Sequence, residues 1–354
     1  MARNVIYFPY MELLEDQWLN QVLLYWDDVY SIIPSNYKSN TFVLSDYTVK
    51  LIREELVKTF NPDDYLNPDY LSEKKLYNFY NLFLDHVKRE EYPVPNDTKI
   101  RSMLPTLSVH MDKLAYYNEE QNILRDLDKL GLVKEKNFPW IEVEEYTAKS
   151  YIAYLAAFGG ELPEIQASPV TNDPKELKPY TPSYYQNGQI KIEKDEMRTT
   201  ILDNILPTPN DPIDIEILKK FKNRHSDDLI EFRKYIESEI HDLLKERDLS
   251  YRNELKEDFV VETQDRINEI SESMKKKGWK INKGMCLNIV GAILDSVNAI
   301  PASLDYHHIN PLLLGKAVLN GAKTIYEVYN YNNNGIKDDD LAYAIYCKKE
   351  LFKD

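Results

Sequence analysis

Residues 5–34, VIYFPYMELLEDQWLNQVLLYWDDVYSIIP, decide the architecture of this chain. Val5 to Tyr10 is short, β-branched and aromatic and is closed by Pro9, the signature of a strand. Glu15, Asp16 and Gln17 then place acid at a helix start, where the helix dipole favours it. Trp18, Val22 and Trp26 follow at four-residue spacing, with Leu19 and Leu23 beside them, and predict a broad apolar helix face that closes over a sheet. Val29 to Ile33 is a second apolar run, ended by Pro34. Strand, helix and strand make a βαβ unit, the connection that parallel strands require.

A βαβ start invites a nucleotide-binding reading, and glycine removes it. All ten glycines lie at Gly131 or later. A dinucleotide site and a P-loop both need glycine so that backbone can approach phosphate. Here Met11-Glu12-Leu13-Leu14-Glu15 is bulky and negative where a phosphate would sit. Gly315-Lys316 is the only Gly-Lys before a helical pattern, and it lacks the upstream glycine and the Ser/Thr.

At 354 residues the chain exceeds the size at which one core stops growing, so two or three domains are expected. Its 44 basic and 59 acidic residues give a formal charge of −15, which disfavours nucleic acid as the main partner. Local basic patches such as Lys275-Lys276-Lys277 keep that class open. Two distant cysteines, Cys286 and Cys347, fit a reducing compartment and offer neither a zinc spacing nor a disulfide framework. Glu12, Glu15 and Asp16 interrupt any signal-peptide core, and no long uncharged apolar run exists, so a cytoplasmic protein without a conventional membrane span is expected.

The fold class expected is an α/β N-terminal domain with a small, mostly parallel or mixed sheet, followed by a mostly helical C-terminal domain. The α/β domain is assigned to residues 1–210, with a loop or linker at about 160–190. Within it, Thr48 to about Arg89 reads as helical with a break at Phe60-Asn61-Pro62, and Leu107 to Leu114 reads as a strand. Glu119 to Leu130 is a helix stopped by Gly131, and Gly159-Gly160 ends the helix of WIEVEEYTAKSYIAYLAAF. Ile201 to Pro209 reads as a last strand.

Over 211–278, Leu218, Phe221, His225, Leu229, Phe232, Ile236, Ile240 and Leu243 form a helical stripe, continued by Tyr251, Leu255, Phe259 and Ile267. One long helix, or a hairpin bent near Leu249-Ser250, is expected, with a charged outer face. Residues 279–354 form a helical domain rich in small residues, with helices at Gly284–Ala299, Pro311–Tyr329 and Asp339–Phe352. Small-residue faces suit tight packing in water, and they also suit association in a membrane.

Candidate chemistry is sparse. NYNNNGIKDDDL, from Asn330, imitates a calcium loop but has Leu341 where a bidentate glutamate belongs, so an Asn-Gly turn is the better reading. Pro62-Asp63 with Glu73 and Lys75 imitates a nuclease spacing, but Leu71 to His86 reads as helix, and that chemistry needs adjacent strands. His225 falls in an apolar stripe. His307-His308 diverge from one another in a loop. What remains is His110, Asp112 and Lys113 on LSVHMDKL; strand alternation would put His110 and Asp112 on one face, where they could do acid–base work or form a structural polar cluster. No cofactor and no metal is expected.

YFPYMELLEDQWLNQVLLYWDDVYSIIP, with MDKL, LGLV, WIEVEEYTAKSYIAYLAAF and ILPTPNDPIDIEILKKFKNRHSDDLIEFR, resembles an uncharacterised bacterial family, a domain of unknown function. The resemblance covers residues 4–240 in patches and carries no assigned activity or catalytic residues. It implies an accessory-genome product, with phage defence or a mobile element as the setting. The function expected is a non-enzymatic interaction or regulatory component, oligomeric or part of a complex. The alternatives are a hydrolase or nuclease sited near His110 and Asp112, and a membrane-perturbing effector acting through the C-terminal helices.

Overall fold

The computed structural model describes residues 4–34, 44–89, 92–114, 122–172, 188–276 and 339–352. The chain divides into two compact units, Met1–Glu193 and Lys194–Asp354. An α/β region comes first and a mostly helical region follows, as expected.

The opening stretch forms β1 (Asn4–Tyr7), α1 (Gln17–Tyr25) and β2 (Asp28–Ile32). Asp16 caps α1, its Oδ1 accepting from the amide of Leu19 at 2.9 Å. Leu19, Leu23 and Leu24 are fully buried, and Val22 and Trp26 are buried with them, so the expected apolar face closes over the sheet and the leucine row widens it. Trp18 is half-buried, its ring 5.3 Å from that of Tyr7, and Trp26 lies beyond the last helical turn, edge-on to Tyr25.

After α2 (Asp46–Arg53) comes β3 (Val57–Phe60), a strand where helix was expected. Glu55, at φ 62°, turns the chain out of the helix, and four residues are too few to register as alternation. The unit continues with α3 (Pro62–Tyr65), α4 (Glu73–Val87), α5 (Thr98–Arg101) and β4 (Thr106–His110). It then runs through a 3₁₀ turn (Met111–Lys113), α6 (Ile123–Lys129), β5 (Val133–Asn137), β6 (Trp140–Glu144), α7 (Glu145–Gly160) and β7 (Ala167–Val170).

β7 lies inside the stretch expected to be loop. Its Pro169 lacks an amide, which an edge strand tolerates, and the strand pairs parallel to β1 with Val5 beside Ser168. The main sheet is therefore four parallel strands in the order β3-β2-β1-β7, and β4-β6-β5 form a separate antiparallel sheet. Ile6, Tyr30, Ile32 and Phe60 share one core with Phe79 and Phe83 of α4 and Tyr151, Tyr154 and Leu155 of α7. Val5, Tyr7, Val29 and Ser31 have the opposite parity and fall on the face that Trp18 of α1 covers. Helices on both faces are what a parallel sheet requires.

α7 ends at Gly160, as expected, with Glu161 as its C-cap, so the two glycines are its last helical residues. A Cβ on Gly160 would stand 2.1 Å from the carbonyl oxygen of Ala167, and one on Gly159 would stand 2.8 Å from the Phe60 ring. They are the places where α7 touches the sheet most closely. Gly131, at φ +70°, does end α6, as its position in the sequence implies.

α8 (Gly188–Ile205) replaces the strand expected at Ile201 to Pro209; Ile201, Leu202 and Ile205 are buried at helical spacing. The helical unit continues with α9 (Ile215–Arg224), α10 (Ser226–Leu243), α11 (Leu249–Lys276) and α12 (Ala342–Glu350). Every residue of the stripe from Leu218 to Leu243 is buried, but the helix breaks at His225, and α10 and α11 form a hairpin. The helices expected at Gly284–Ala299 and Pro311–Tyr329, the Asn-Gly turn and His307-His308 lie outside the described residues. Among the described residues, no helix is long and apolar enough to cross a membrane.

Candidate functional site

In open parallel sheets, ligands sit beyond the carboxyl ends of the strands, where the chain departs in opposite directions. Here that edge includes the loops after β1 and β2, and this chain's own carboxylates occupy the starts of the helices that follow them, α1 and α2. Glu12 accepts from the amide of Ser45 at 2.9 Å, from Thr48 Oγ1 at 2.6 Å and from Ser45 Oγ, all at the start of α2. Asp16 does the same for α1. An anionic ligand would meet carboxylate where it needs amide, which is the structural form of the missing glycines.

The candidates His110, Asp112 and Lys113 lie at the carboxyl end of β4, but not on one strand face. The strand stops at His110, and residues 111–113 turn as 3₁₀ helix, so alternation does not apply to Asp112. His110 is buried, its ring edge-on to Trp140 at 5.1 Å. Its Nδ1 accepts from the backbone amide of Asp112 at 3.3 Å and lies 3.5 Å from the Asp112 carboxylate. A nitrogen that accepts from backbone cannot also donate to the carboxylate, so His110 caps the turn. Burial holds its pKa below the usual value, Asp112 opposing and Lys113 reinforcing the shift.

Lys113 is buried with no hydrogen bond or ion pair among the described residues, and burial pushes its pKa down to about 7. Asp63 is a neighbour that spacing could not announce. It sits on α3 at the end of β3, and burial, then Asp112 and Asp64, push its carboxyl up to about 6. Asp63 and Asp112, from distant parts of the sequence, thus lie near one another at strand ends, and the Asp63 carboxyl stays protonated to higher pH than an ordinary aspartate. Chemically this pair could divide acid and base roles. The nuclease imitation is not assembled: Asp63 is on α3, whereas Glu73 and Lys75 are on α4. Among the described residues, no group of three or more His, Cys, Asp or Glu could hold a metal ion.

A second candidate is a surface, at the turn between α10 and α11. Asp248 caps α11, its Oδ1 accepting from the amides of Ser250 and Tyr251 at 2.9 and 3.1 Å. From Leu244 to Asp258 no residue is buried. Leu249 is 63% exposed and Tyr251 49%, with Leu244 and Leu255 half-buried beside them. Deeper in the hairpin the same helices are closed: the Tyr235 ring lies 5.5 Å from Phe259 and its hydroxyl pairs with Thr263 Oγ1 at 3.0 Å.

His225, read as a packing residue, is buried and also bonded: Nδ1 lies 2.9 Å from Asp228 and Nε2 3.2 Å from Glu350, with the ring stacked on Tyr346. It holds α12 to the α9–α10 junction. No family model, no curated protein and no solved structure matches this chain.

Proposed function

We propose that the protein is a non-enzymatic interaction or regulatory component that engages a protein partner through the tip of its α10–α11 hairpin. The observation that carries this reading is the tip itself: fifteen consecutive residues, Leu244 to Asp258, without one buried, yet presenting Leu249 and Tyr251 to solvent. Single exposed apolar residues are ordinary, but four leucine and tyrosine side chains grouped at the end of a paired-helix arm form a contact point. The acid-filled helix starts at the sheet edge and the locked His110 withdraw support from the rival readings of that edge. The test is tagged capture from the source cells with the native chain and with Leu249→Glu/Tyr251→Glu in parallel. A protein retained in molar amounts by the native tip and lost by the variant supports the reading. Identical captured sets for both would sink it.

A second reading has one observation in its favour. The Asp63 carboxyl, held up to about 6 beside Asp112, is an accessible acid–base pair at strand ends, suited to hydrolysis. Esters, phosphodiesters and glycosides offered to the native chain and to Asp63→Asn decide it. Turnover that the substitution removes supports a hydrolase; no turnover above buffer ends that reading.

A further inference from the structure

We infer that His86 makes the joint between α4 and α7 sensitive to acid. His86 stands on the last turn of α4, and its ring lies edge-on to Tyr92, with centroids 5.3 Å apart. Both ring nitrogens are buried, and neither has a hydrogen-bond partner. Tyr92 is buried in turn. Its hydroxyl donates to Thr147 Oγ1 at 2.9 Å, which donates to the Glu144 carboxylate at 2.6 Å, and Glu144 caps the start of α7. The His86 ring therefore packs on the first member of a hydrogen-bond chain that ties the segment after α4 to α7.

Charge decides what this arrangement tolerates. A neutral ring leaves one N–H unpaired, whereas an imidazolium brings two N–H groups and a charge to a place without an acceptor. Among the described residues, the charged and titratable groups nearby supply none. Arg89 is a cation, and Tyr92 gives its hydroxyl proton to Thr147. From α7, Tyr146 meets the Tyr92 ring edge-on at 5.4 Å. Glu144 already accepts from the amides of Tyr146 and Thr147 as well as from Thr147 Oγ1. A helix C-terminus ordinarily favours a histidine cation, but neither nitrogen reaches a carbonyl here. Burial, then Arg89, hold the pKa of His86 below its usual value. A histidine whose folded pKa lies below its ordinary 6.5 costs the fold nothing above that value and weakens it as pH falls below. Protonation then drives the ring into water, uncovers Tyr92 and loosens the last turn of α4.

Hydrogen exchange of the full chain at about pH 7.5 and about pH 5, corrected for intrinsic exchange rates, tests this. The native chain is compared with His86→Phe, which keeps an aromatic ring against Tyr92. The Phe83–Arg89 amides of the native chain should open about threefold more often or greater at the lower pH. In His86→Phe they should open equally at both, while the α10 amides respond alike in the two chains. A native segment that ignores acid, or a variant that responds as the native chain does, overturns the inference. An NMR titration of the native chain needs no variant: the His86 imidazole should titrate below 6.5. Titration at or above that value overturns the inference too.

Discussion

In the helical unit, Arg198 meets Glu237 at 2.5 Å with Lys194 at 2.9 Å from the same carboxylate, and Arg266 meets the buried Asp339 at 2.7 Å. In the α/β unit, among the described residues, the ion pairs are fewer and some buried polar atoms go unmatched. Arg101 is held by backbone carbonyls and Asn96 and Lys149 pairs with Glu145, but Lys113 has no ion pair, and both ring nitrogens of His86 and Oδ1 of Asn61 lack hydrogen bonds. The contrast follows from how each unit fixes its register. In the parallel sheet the alignment of Val5 to Val29 to Val57 is set by the apolar pattern, because a one-residue slip would turn every core side chain to the other face. Helices with similar apolar stripes can slide, and a buried pair that closes in only one alignment prevents it. Those pairs lie within the covered bundle, and the hairpin tip beyond Leu243 has none of its residues buried.

The largest effect should come from the α/β unit's tightest contact. Gly160→Ala drives a Cβ to 2.1 Å from the Ala167 backbone and should cost about 3 kcal/mol or more in chemical denaturation. In the helical unit, Glu237→Leu removes the carboxylate that Arg198 and Lys194 share and should cost about 3 kcal/mol. Lys113→Met should act in the opposite direction, adding about 1–3 kcal/mol at pH 7. Because the folded pKa of Lys113 is about 7 and its ordinary value 10.5, the burial penalty is full below pH 7 and fades as pH rises to 10.5. The gain from Lys113→Met should shrink over that window, and a loss of stability instead would mean that the amine has a partner.

Asp63→Asn should be a smaller, pH-dependent change. The Asp63 carboxyl titrates at about 6 when folded and 3.8 otherwise, so its ionisation weakens the fold increasingly between those values. Melting temperature should therefore rise with Asp63→Asn above pH 6 and not at pH 3.5. The smallest effect on stability belongs to Leu249→Glu/Tyr251→Glu, which should leave melting unchanged because both side chains already face water.

The βαβ start was legible because each of its elements carries its own punctuation, Pro9, Asp16 and Pro34, around uninterrupted apolar runs. β3 and β7 were not, since four-residue edge strands hold too little alternation and Pro169 argues against a strand until its edge position is known. Every residue that the stripe from Leu218 to Leu243 names is buried, but the break at His225 leaves the spacing intact and so left no trace. His110, Asp112 and Lys113 were visible as a cluster. Asp63 joins them only through the fold, and the 3₁₀ turn that separates His110 from Asp112 looks like a strand in sequence. The bare hairpin tip was half-legible: the continued stripe at Tyr251 and Leu255 was there, but where its cover ends is a property of the packing.

The most direct measurement is the size of the species carrying this chain in extracts of its source cells, native beside Leu249→Glu/Tyr251→Glu, at matched melting temperature. The account predicts that the native chain migrates well above its 41.7 kDa and that the variant falls to it. Equal sizes for the two would contradict it.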